Sequence, residues 1–557
     1  MNRTSDRLSF TEWKQKYLTF WNIVIVVTLF LAMLFIVYPF GNMFFQSFST
    51  KDGGAGFDNY ETFFKKRYYY RALFNSLKIC VTTTVAALAV GLPMAYIASR
   101  LNIWGKRIID VAVILSLLSP PFIGAYSWIL MFGRSGIVTR FLAEFGIDLG
   151  NIYGFKGIVL VFTLKLYPYV YMYVSGALGS IDASLEEASA NLGITGLKRI
   201  FKITFPLIMP TILSSGLIVF MTALADFGTP LLLGEGYKVL PVLIYDEYLS
   251  EVGSNTYLAN AMSVLIVIIS GSILLAQKWV INRKSYNMSA LNPPAIKQLT
   301  TGKRFLASAF VWTVALVSLI PQAVVAYTSF LKTKGPLFVE GYSLDSYRYI
   351  IFKLSRNVHN TFVFALIALA IMIVIGLLLS YIIVRRRSKA TGLLDFLIMF
   401  PYVLPGSVLG IGLVKAFNQG PLILAGTMWI MIISYTIRKL PFTLRSSIGI
   451  LYQIDPSVEE ASISLGVSPM KTFFKVVARM MMPGLLSGAV LSFIAVINEV
   501  SSSIILFTGR TVTMSVTIFS EINRSGYGTA AALATLLSLI TVFSLLVFRR
   551  LGGRDVV

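Results

Sequence analysis

The segment WNIVIVVTLFLAMLFIVYPF, from Trp21 to Phe40, is an unbroken run without a charged residue. A helix of about 20 apolar residues crosses a hydrocarbon core that is about 30 Å thick. Helices suit this solvent because their backbone N–H and C=O groups are hydrogen-bonded within the segment itself. Similar runs recur, including TFVFALIALAIMIVIGLLLSYIIV from Thr361 to Val384. The sequence therefore predicts an all-α integral membrane protein.

We count twelve candidate transmembrane helices from the positions of the apolar runs. Their centres lie near Leu31, Ala86, Ser119, Thr163, Ile218, Ile266, Val317, Ala370, Met399, Ile433, Ser492 and Leu537. The alternative is ten spans with two buried or re-entrant segments. The two doubtful runs, around Ser119 and Met399, contain SPPFIG and YVLPGS, and proline and glycine interrupt helices.

The chain contains two copies of one unit. FNSL at Phe74 matches HNTF at His359, so the numbering differs by 285. The same offset relates Gly91 to Gly376, Ala95 to Ser380, Arg100 to Arg385, Asp110 to Asp395 and Pro120 to Pro405. From the fourth span onwards an offset of 273 relates Lys165 to Arg438, Pro168 to Pro441, Glu187 to Glu460 and Gly193 to Gly466. The second copy is therefore shorter, in the loop between its third and fourth spans.

Six spans return a chain to the side of the membrane on which it started, so the two copies have the same orientation. We predict a first half over 1–290 and a second half over 291–557, related by an axis along the membrane normal. The predicted fold is thus about twelve transmembrane helices in two parallel six-helix repeats. In transporters built from repeats, the substrate path lies at the interface between them.

One polar loop occurs in both halves, between the fourth and fifth spans and on the same side as both termini. It reads EEASANLGITGLKRIFKITFPLIMP from Glu186 and EEASISLGVSPMKTFFKVVARMMMP from Glu459. We predict a short helix opened by Glu187 and Ala188, a turn at Gly193 and a second helix at the membrane surface. A solvated amphipathic loop would explain one copy, but two copies with the same Glu-to-Gly spacing favour a docking element.

This loop resembles the signature loop of binding-protein-dependent ABC importer permeases, which runs Glu-Ala-Ala, three residues, Gly, nine residues, Ile, one residue, Leu-Pro. The first copy matches at Glu187, Ala188, Gly193, Ile203 and Pro206, with Ser189 and Phe205 departing. The second matches at Glu460, Ala461 and Gly466, with Ser462, Val476 and Arg479 departing. The fused halves, and ALADFGTP from Ala223, are similar to the ferric-iron permease branch of the family.

The resemblance implies a type I ABC importer permease in the bacterial cytoplasmic (inner) membrane, with both termini cytoplasmic. The implied coupling helices, which seat in two copies of a cytoplasmic ABC ATPase subunit, contain Glu186, Glu187, Ala188, Gly193, Glu459, Glu460, Ala461 and Gly466. The implied cargo is ferric iron delivered by an extracytoplasmic binding protein. The same branch includes permeases for phosphonates, sugar phosphates and other small anions, and polyamine permeases are close relatives.

The chain contains no G-x-x-x-x-G-K-[ST] phosphate-binding loop. We therefore expect no cofactor in this chain, with ATP and magnesium bound by the partner ATPase. A secondary transporter would also have twelve spans, but it would not need two matching docking loops.

Among the ionisable residues inside predicted spans, four occupy two pairs of equivalent positions: Lys165 with Arg438, and Asp226 with Glu499. Each costs about 2.5–3.5 kcal/mol at bilayer depth on insertion scales. They could form an ion pair in each half that fixes helix packing, or they could line the translocation path. Carboxylates suit a hard trivalent cation, whereas a basic pair suits a phosphate group, so the set leaves the charge of the substrate open.

Two other classes of function are disfavoured. The net charge of +23 does not indicate nucleic-acid binding, because lysine and arginine cluster at helix ends in a pattern typical of the positive-inside rule. An enzyme would need clustered acid, base or metal-binding groups. His359 is the only histidine, and Cys80 is the only cysteine and lies within the second span.

Overall fold

The computed structural model describes residues 20–50, 54–117, 120, 123–134, 136–148, 150–249, 255–284, 296–335 and 337–551. The helices of the first half are α1 (Phe20–Ser47), α2 (Asp58–Lys65), α3 (Arg67–Arg100), α4 (Lys106–Leu117), α5 (Ile123–Phe132), α6 (Ile137–Glu144), α7 (Phe155–Gly179), α8 (Ala183–Asn191), α9 (Gly196–Arg199), α10 (Phe205–Ala225), α11 (Gly228–Leu233), α12 (Leu240–Leu249) and α13 (Thr256–Lys284). Helix α1 contains a π-helical turn over Met33–Val37.

The second half contains α14 (Thr301–Thr328), β1 (Leu331–Lys334), β2 (Leu337–Tyr342), α15 (Asp345–Lys353), α16 (Ser355–Arg385), α17 (Lys389–Val403), α18 (Gly406–Phe417), α19 (Met428–Gln453), α20 (Ser457–Ser464), α21 (Pro469–Thr472), α22 (Ala478–Ile497), α23 (Ser503–Leu506), α24 (Met514–Asn523) and α25 (Tyr527–Leu551). Strands β1 and β2 form an antiparallel hairpin in which Thr333 pairs with Phe338. The hairpin follows the end of α14.

Among the described residues, nine helices are long and apolar enough to cross a membrane, and a bent pair raises the number to ten. The bent pair is α17 with α18, whose axes differ by 112°. The span predicted around Met399 is therefore not one straight helix. The helix is broken because Pro405 lacks a backbone N–H and restricts the residue before it. This segment is either a broken span or a re-entrant segment, as in the ten-span alternative.

Two other predicted spans are not among these candidate helices, each for its own reason. The helix over Ile433, α19, is 26 residues long, but Arg438, Lys439 and Arg445 all lie within it, and it is not among the nine. Ser119 lies outside the described residues, between α4 and α5. Each of the other predicted span centres falls in a helix.

Helices α4 and α5 both pack against α14, along most of its length. Trp104, just before α4, donates its backbone N–H to Ser308 at 3.1 Å, and Ser127 in α5 donates its hydroxyl to the carbonyl of Pro321 at 2.8 Å. About 13 helical residues, or about 20 Å at 1.5 Å per residue, separate Ser308 from Pro321. The α4–α5 pair thus runs beside α14 for much of the membrane thickness.

The equivalent arrangement occurs in the other half, where α1 packs against α17 and α18. Lys415 in α18 donates to Gln46 in α1 at 3.0 Å. The first span of each half therefore packs on the third segment of the opposite half, and the two halves are interlocked.

Within each half, the second, fourth and fifth spans form a tight three-helix core. In the first half, a Cβ atom added at Gly91 of α3 would lie 2.6 Å from Val170 of α7. At the equivalent place in the second half, a Cβ at Gly376 would lie 2.9 Å from Thr443. Small residues allow the close backbone approach on which helix packing in membranes depends. The repeated glycine thus sets the distance between the second and fourth spans.

Candidate coupling loops and intramembrane charge clusters

The first polar loop folds as a helix, a turn and a helix that continues into the membrane. Asp182 caps α8 by accepting a hydrogen bond from the backbone N–H of Ser184 at 2.9 Å. The helix therefore begins at Ala183, not at Glu187 as predicted. Gly193 has a φ of +73° and ends it. The second helix is not separate, because α9 passes through a π-helical turn over Ile200–Thr204 directly into α10.

The second loop repeats this path at the offset of 273 in numbering. Asp455 accepts a hydrogen bond from the backbone N–H of Ser457 at 2.8 Å. Hydrogen bonds from the backbone and hydroxyl of Ser457 lower the pKa of Asp455. Gly466 has a φ of +84°, and a π-helical turn again follows, over Phe473–Val477. The arginine at position 479 does not change the exit of the loop, because α22 continues directly from this turn.

The two loops expose the same face to solvent. Glu187 and Ala188 are exposed in the first loop, as are Glu460 and Ala461 in the second. Each loop also exposes a leucine before its turn: Leu192 is 78% exposed, and its equivalent, Leu465, is 84% exposed. An exposed leucine beside polar groups on a projecting element is suited to docking against another protein, because interfaces combine an apolar core with a polar rim.

The other glutamate of each pair faces the membrane-spanning helices. Glu186 lies 3.0 Å from Arg100 and 3.3 Å from Arg199. Glu459 lies 2.8 Å from Arg385 and accepts a hydrogen bond from the hydroxyl of Tyr381. The sequence predicts one role for both glutamates of each loop, whereas the structure separates them, and Arg100 and Arg385 are not among the predicted site residues. The offset that relates Arg100 to Arg385 was the available signal.

Replacing Gly193 and Gly466 by valine should weaken docking of a partner at both loops. Both glycines have a positive φ that a β-branched side chain adopts only with strain. The measurement is the fraction of the purified protein that retains a partner bound at the loops, which should fall several-fold. The matched control changes Gly176 and Gly449 to alanine. These equivalent glycines lie in α7 and α19, and an added Cβ at either would meet no atom within 4 Å. Equal retention in the two pairs would contradict the prediction.

The four charged residues predicted inside the spans meet as one cluster in each half. Lys165 of α7 lies 2.8 Å from Asp226, which follows α10. Arg438 of α19 pairs with Glu499, which follows α22. Each carboxylate also accepts a hydrogen bond from a backbone N–H at the start of the next short helix. Asp226 accepts from the backbone N–H of Thr229 at 2.9 Å, and Glu499 accepts from the equivalent Ser502 at 3.1 Å.

The two clusters differ in their number of cations. Lys439 lies 2.6 Å from Glu499, whereas the equivalent position in the first half is Leu166, which carries no charge. The second-half cluster is also the more buried: the Glu499 side chain is 4% exposed, against 13% for Asp226. Lys439 is not among the site residues predicted from the sequence.

Lys165 also lines a small cavity of about 30 Å³ at the boundary between the halves. Ser116 and Trp128 border it from the first half, and Ser318 and Gln322 from the second. A cavity of this volume has room for about two water molecules. Within the part of the chain that the structure describes, no group of three or more His, Cys, Asp or Glu side chains is arranged to hold a metal ion.

Both halves of the chain match a known family. The sequence profile described as "Binding-protein-dependent transport system inner membrane component" matches residues 87–285 and again residues 372–554. The ferric transport system permease protein FbpB of Actinobacillus pleuropneumoniae is 32% identical over 94% of this chain and 77% of that protein. The putative ferric transport system permease protein FbpB 1 of Haemophilus influenzae is 34% identical over 86% of this chain and 77% of that protein.

A relative of smaller size matches only part of the chain. The molybdenum transport system permease protein ModB of Haemophilus influenzae is 28% identical over 37% of this chain and 91% of that protein.

Proposed function

Since this chain belongs to the family of binding-protein-dependent transport system inner membrane components, we propose that it is the membrane-spanning permease subunit of an ATP-driven ABC importer. It is a multi-pass protein of the inner membrane. The observation that carries the proposal is the pair of equivalent loops, each with a capped helix, a glycine turn and an exposed acidic face. An ATPase that works as a dimer would need two equivalent docking sites of this kind.

The proposed partners are two copies of a cytoplasmic ABC ATPase subunit, one for each loop, and an extracytoplasmic binding protein. ATP and magnesium are bound by the ATPase in this scheme, and this chain contributes no cofactor. Glu187, Ala188, Gly193, Glu460, Ala461 and Gly466 form the proposed docking surface. The division into halves at residues 290 and 291 stays a prediction, because that boundary lies outside the described residues.

The proposed substrate is ferric iron. Two relatives that match most of this chain are named as ferric transport permeases. A small anion is the second candidate, supported by the relative named as a molybdenum transport permease and by the surplus cation in the second-half cluster. Lys165, Asp226, Arg438 and Glu499 are the proposed contacts of the translocation path, lying where the fourth and fifth spans of each half meet.

The substrate can be tested with the reconstituted complex of permease, ATPase and binding protein. Ferric iron loaded on the binding protein should stimulate ATP hydrolysis several-fold over the unloaded binding protein. Phosphonate, sugar phosphate, molybdate or polyamine with the same binding protein should not. Stimulation by one of these and not by iron would replace the substrate assignment.

The orientation predicted by this function can be tested by cysteine labelling. Cys80 is the only cysteine and is buried, so it gives little background. A cysteine at Ala190, exposed on α8, should react with a membrane-impermeant thiol reagent only after cells are permeabilised. A cysteine at Lys334, exposed on the β1–β2 hairpin at the opposite end of the spans, should react in intact cells. Labelling of the Ala190 variant in intact cells would contradict a cytoplasmic loop.

A further inference from the structure

A group of three side chains joins each loop to the end of the second span. In the second half, Tyr381 and Arg385 of α16 both contact Glu459 of α20: the phenol donates to one carboxylate oxygen at 2.9 Å, and the Arg385 Nε–H donates to the other at 2.8 Å. Arg385 also donates to the carbonyl of Ile454, where α19 ends, at 2.7 Å. The arginine thus binds both the coupling helix and the end of the fourth span.

The equivalent residues meet in the first half. Arg100, the last residue of α3, forms an ion pair with Glu186 of α8 at 3.0 Å. Tyr96, one turn earlier, is the equivalent of Tyr381 at the offset of 285. Arg199 lies 3.3 Å from Glu186.

Both halves contain the arginine–glutamate contact, although the number of residues between the arginine and the glutamate differs between the halves. The arginines are related by an offset of 285 in numbering, whereas the glutamates are related by an offset of 273. The difference in length therefore lies between the partners. The two halves differ in loop length and still bring the equivalent arginine and glutamate together, so the contact does not follow from local sequence alone.

The charged side chains of both pairs are largely buried. The side chains are only 5% exposed for Arg100, 20% for Glu186, 16% for Arg385 and 13% for Glu459. A buried ion pair gives little net stability compared with apolar packing, but the loss of one partner leaves a charge buried and unpaired. Such a contact strongly favours one relative position of the two elements that it joins.

Building on the function proposed above, we propose that Arg100 with Glu186 and Arg385 with Glu459 are positioning pairs that link each coupling helix to the second span of its half. The coupling helix is joined covalently only to the fourth span and, through the π-helical turn, to the fifth. The ion pair adds the second span to the moving unit. Movement of the loop by the ATPase is then passed to all three helices of the core, whose packing at Gly91 and Gly376 is close.

The test measures substrate imported per ATP hydrolysed, in complexes purified with the ATPase bound. Arg100→Glu and Glu186→Arg should each lower this ratio at least tenfold, and the double variant should return it to within about threefold of wild type. A contact that served only folding would lower the yield of complex without changing the ratio. The matched control exchanges the exposed pair Glu61 and Lys65 on α2, which should have no effect because exposed pairs contribute little.

Each other outcome decides against the proposal. An unchanged ratio in both single variants would overturn it, and so would a ratio that the double variant fails to restore. If a charge reversal prevents assembly, Glu186→Gln and Glu459→Gln provide the milder change, and a normal ratio in both would overturn it. A wild-type complex without ATP-driven import would instead contradict the proposed function.

Discussion

Replacing Glu187 and Glu460 together by lysine should reduce ATP-driven import at least tenfold while the membrane-spanning helices remain folded. Both side chains are exposed on the coupling helices and contact no other charged residue in an ion pair among the described residues. Their reversal therefore has little cost within the permease. At a docked interface, loss of one partner of a buried, hydrogen-bonded charge pair costs about 2–5 kcal/mol, and each step of about 1.4 kcal/mol is a factor of ten in affinity.

Two measurements check this result. Retention of the ATPase during purification should fall with the import rate, whereas the melting temperature of the permease alone should be unchanged. Glu340→Lys, an exposed reversal on strand β2, is the control and should retain the ATPase fully. Full import by the double variant would show that these glutamates do not form the docking surface.

The second large effect concerns Glu499. Its replacement by glutamine should destabilise the permease by about 3–5 kcal/mol, because removing one partner of a buried pair leaves the other unpaired. Here two cations, Arg438 and Lys439, would lose the same carboxylate. Asp226→Asn should cost less, since it affects one cation, Lys165, which is 23% exposed and lines a cavity with room for water.

Thermal unfolding of the purified permease gives the order of these variants. Glu499→Gln should have the lowest melting temperature, and adding Lys439→Met should restore part of the loss by removing one unpaired charge. Glu340→Gln on the exposed strand should behave as wild type. A melting temperature lower for Asp226→Asn than for Glu499→Gln, or no recovery on adding Lys439→Met, would mean that the second-half cluster does not hold its helices together as described.

The same variants bear on the translocation path. If iron passes the carboxylates, assembled Asp226→Asn complexes should lose iron import even where the melting temperature changes little. If an anion passes, Lys165→Met and Arg438→Met should be the damaging changes.

The membrane-spanning architecture was predictable because apolar run length and internal repetition are properties of the chain itself. The two constant offsets in numbering identified the equivalent loops and also the equivalent charges at Lys165 and Arg438. The bend between α17 and α18 was only partly predictable. Proline at position 405 indicates a break, but the 112° angle depends on packing against α1 and α23, which lie far away in sequence.

The contacts missed from the sequence are of two kinds. Arg100 and Glu186 are distant in sequence, and their pairing requires the fourth span to return beside the second, which periodicity does not encode. Lys439 was overlooked because its equivalent is Leu166, and the repeat directs attention to positions that agree. The loop helix was placed too late because Asp182, a capping residue by type, precedes the repeated spacing from which the helix was inferred.

The most direct test of the account is the energy source for import. Vesicles containing the permease, its ATPase and the iron-loaded binding protein on the opposite side from the two loops should accumulate iron only when ATP is present on the side of the loops. Ionophores that collapse proton and sodium gradients should leave this accumulation unchanged. Accumulation that follows an ion gradient and needs neither ATP nor the ATPase would contradict the account and would make the protein a secondary transporter.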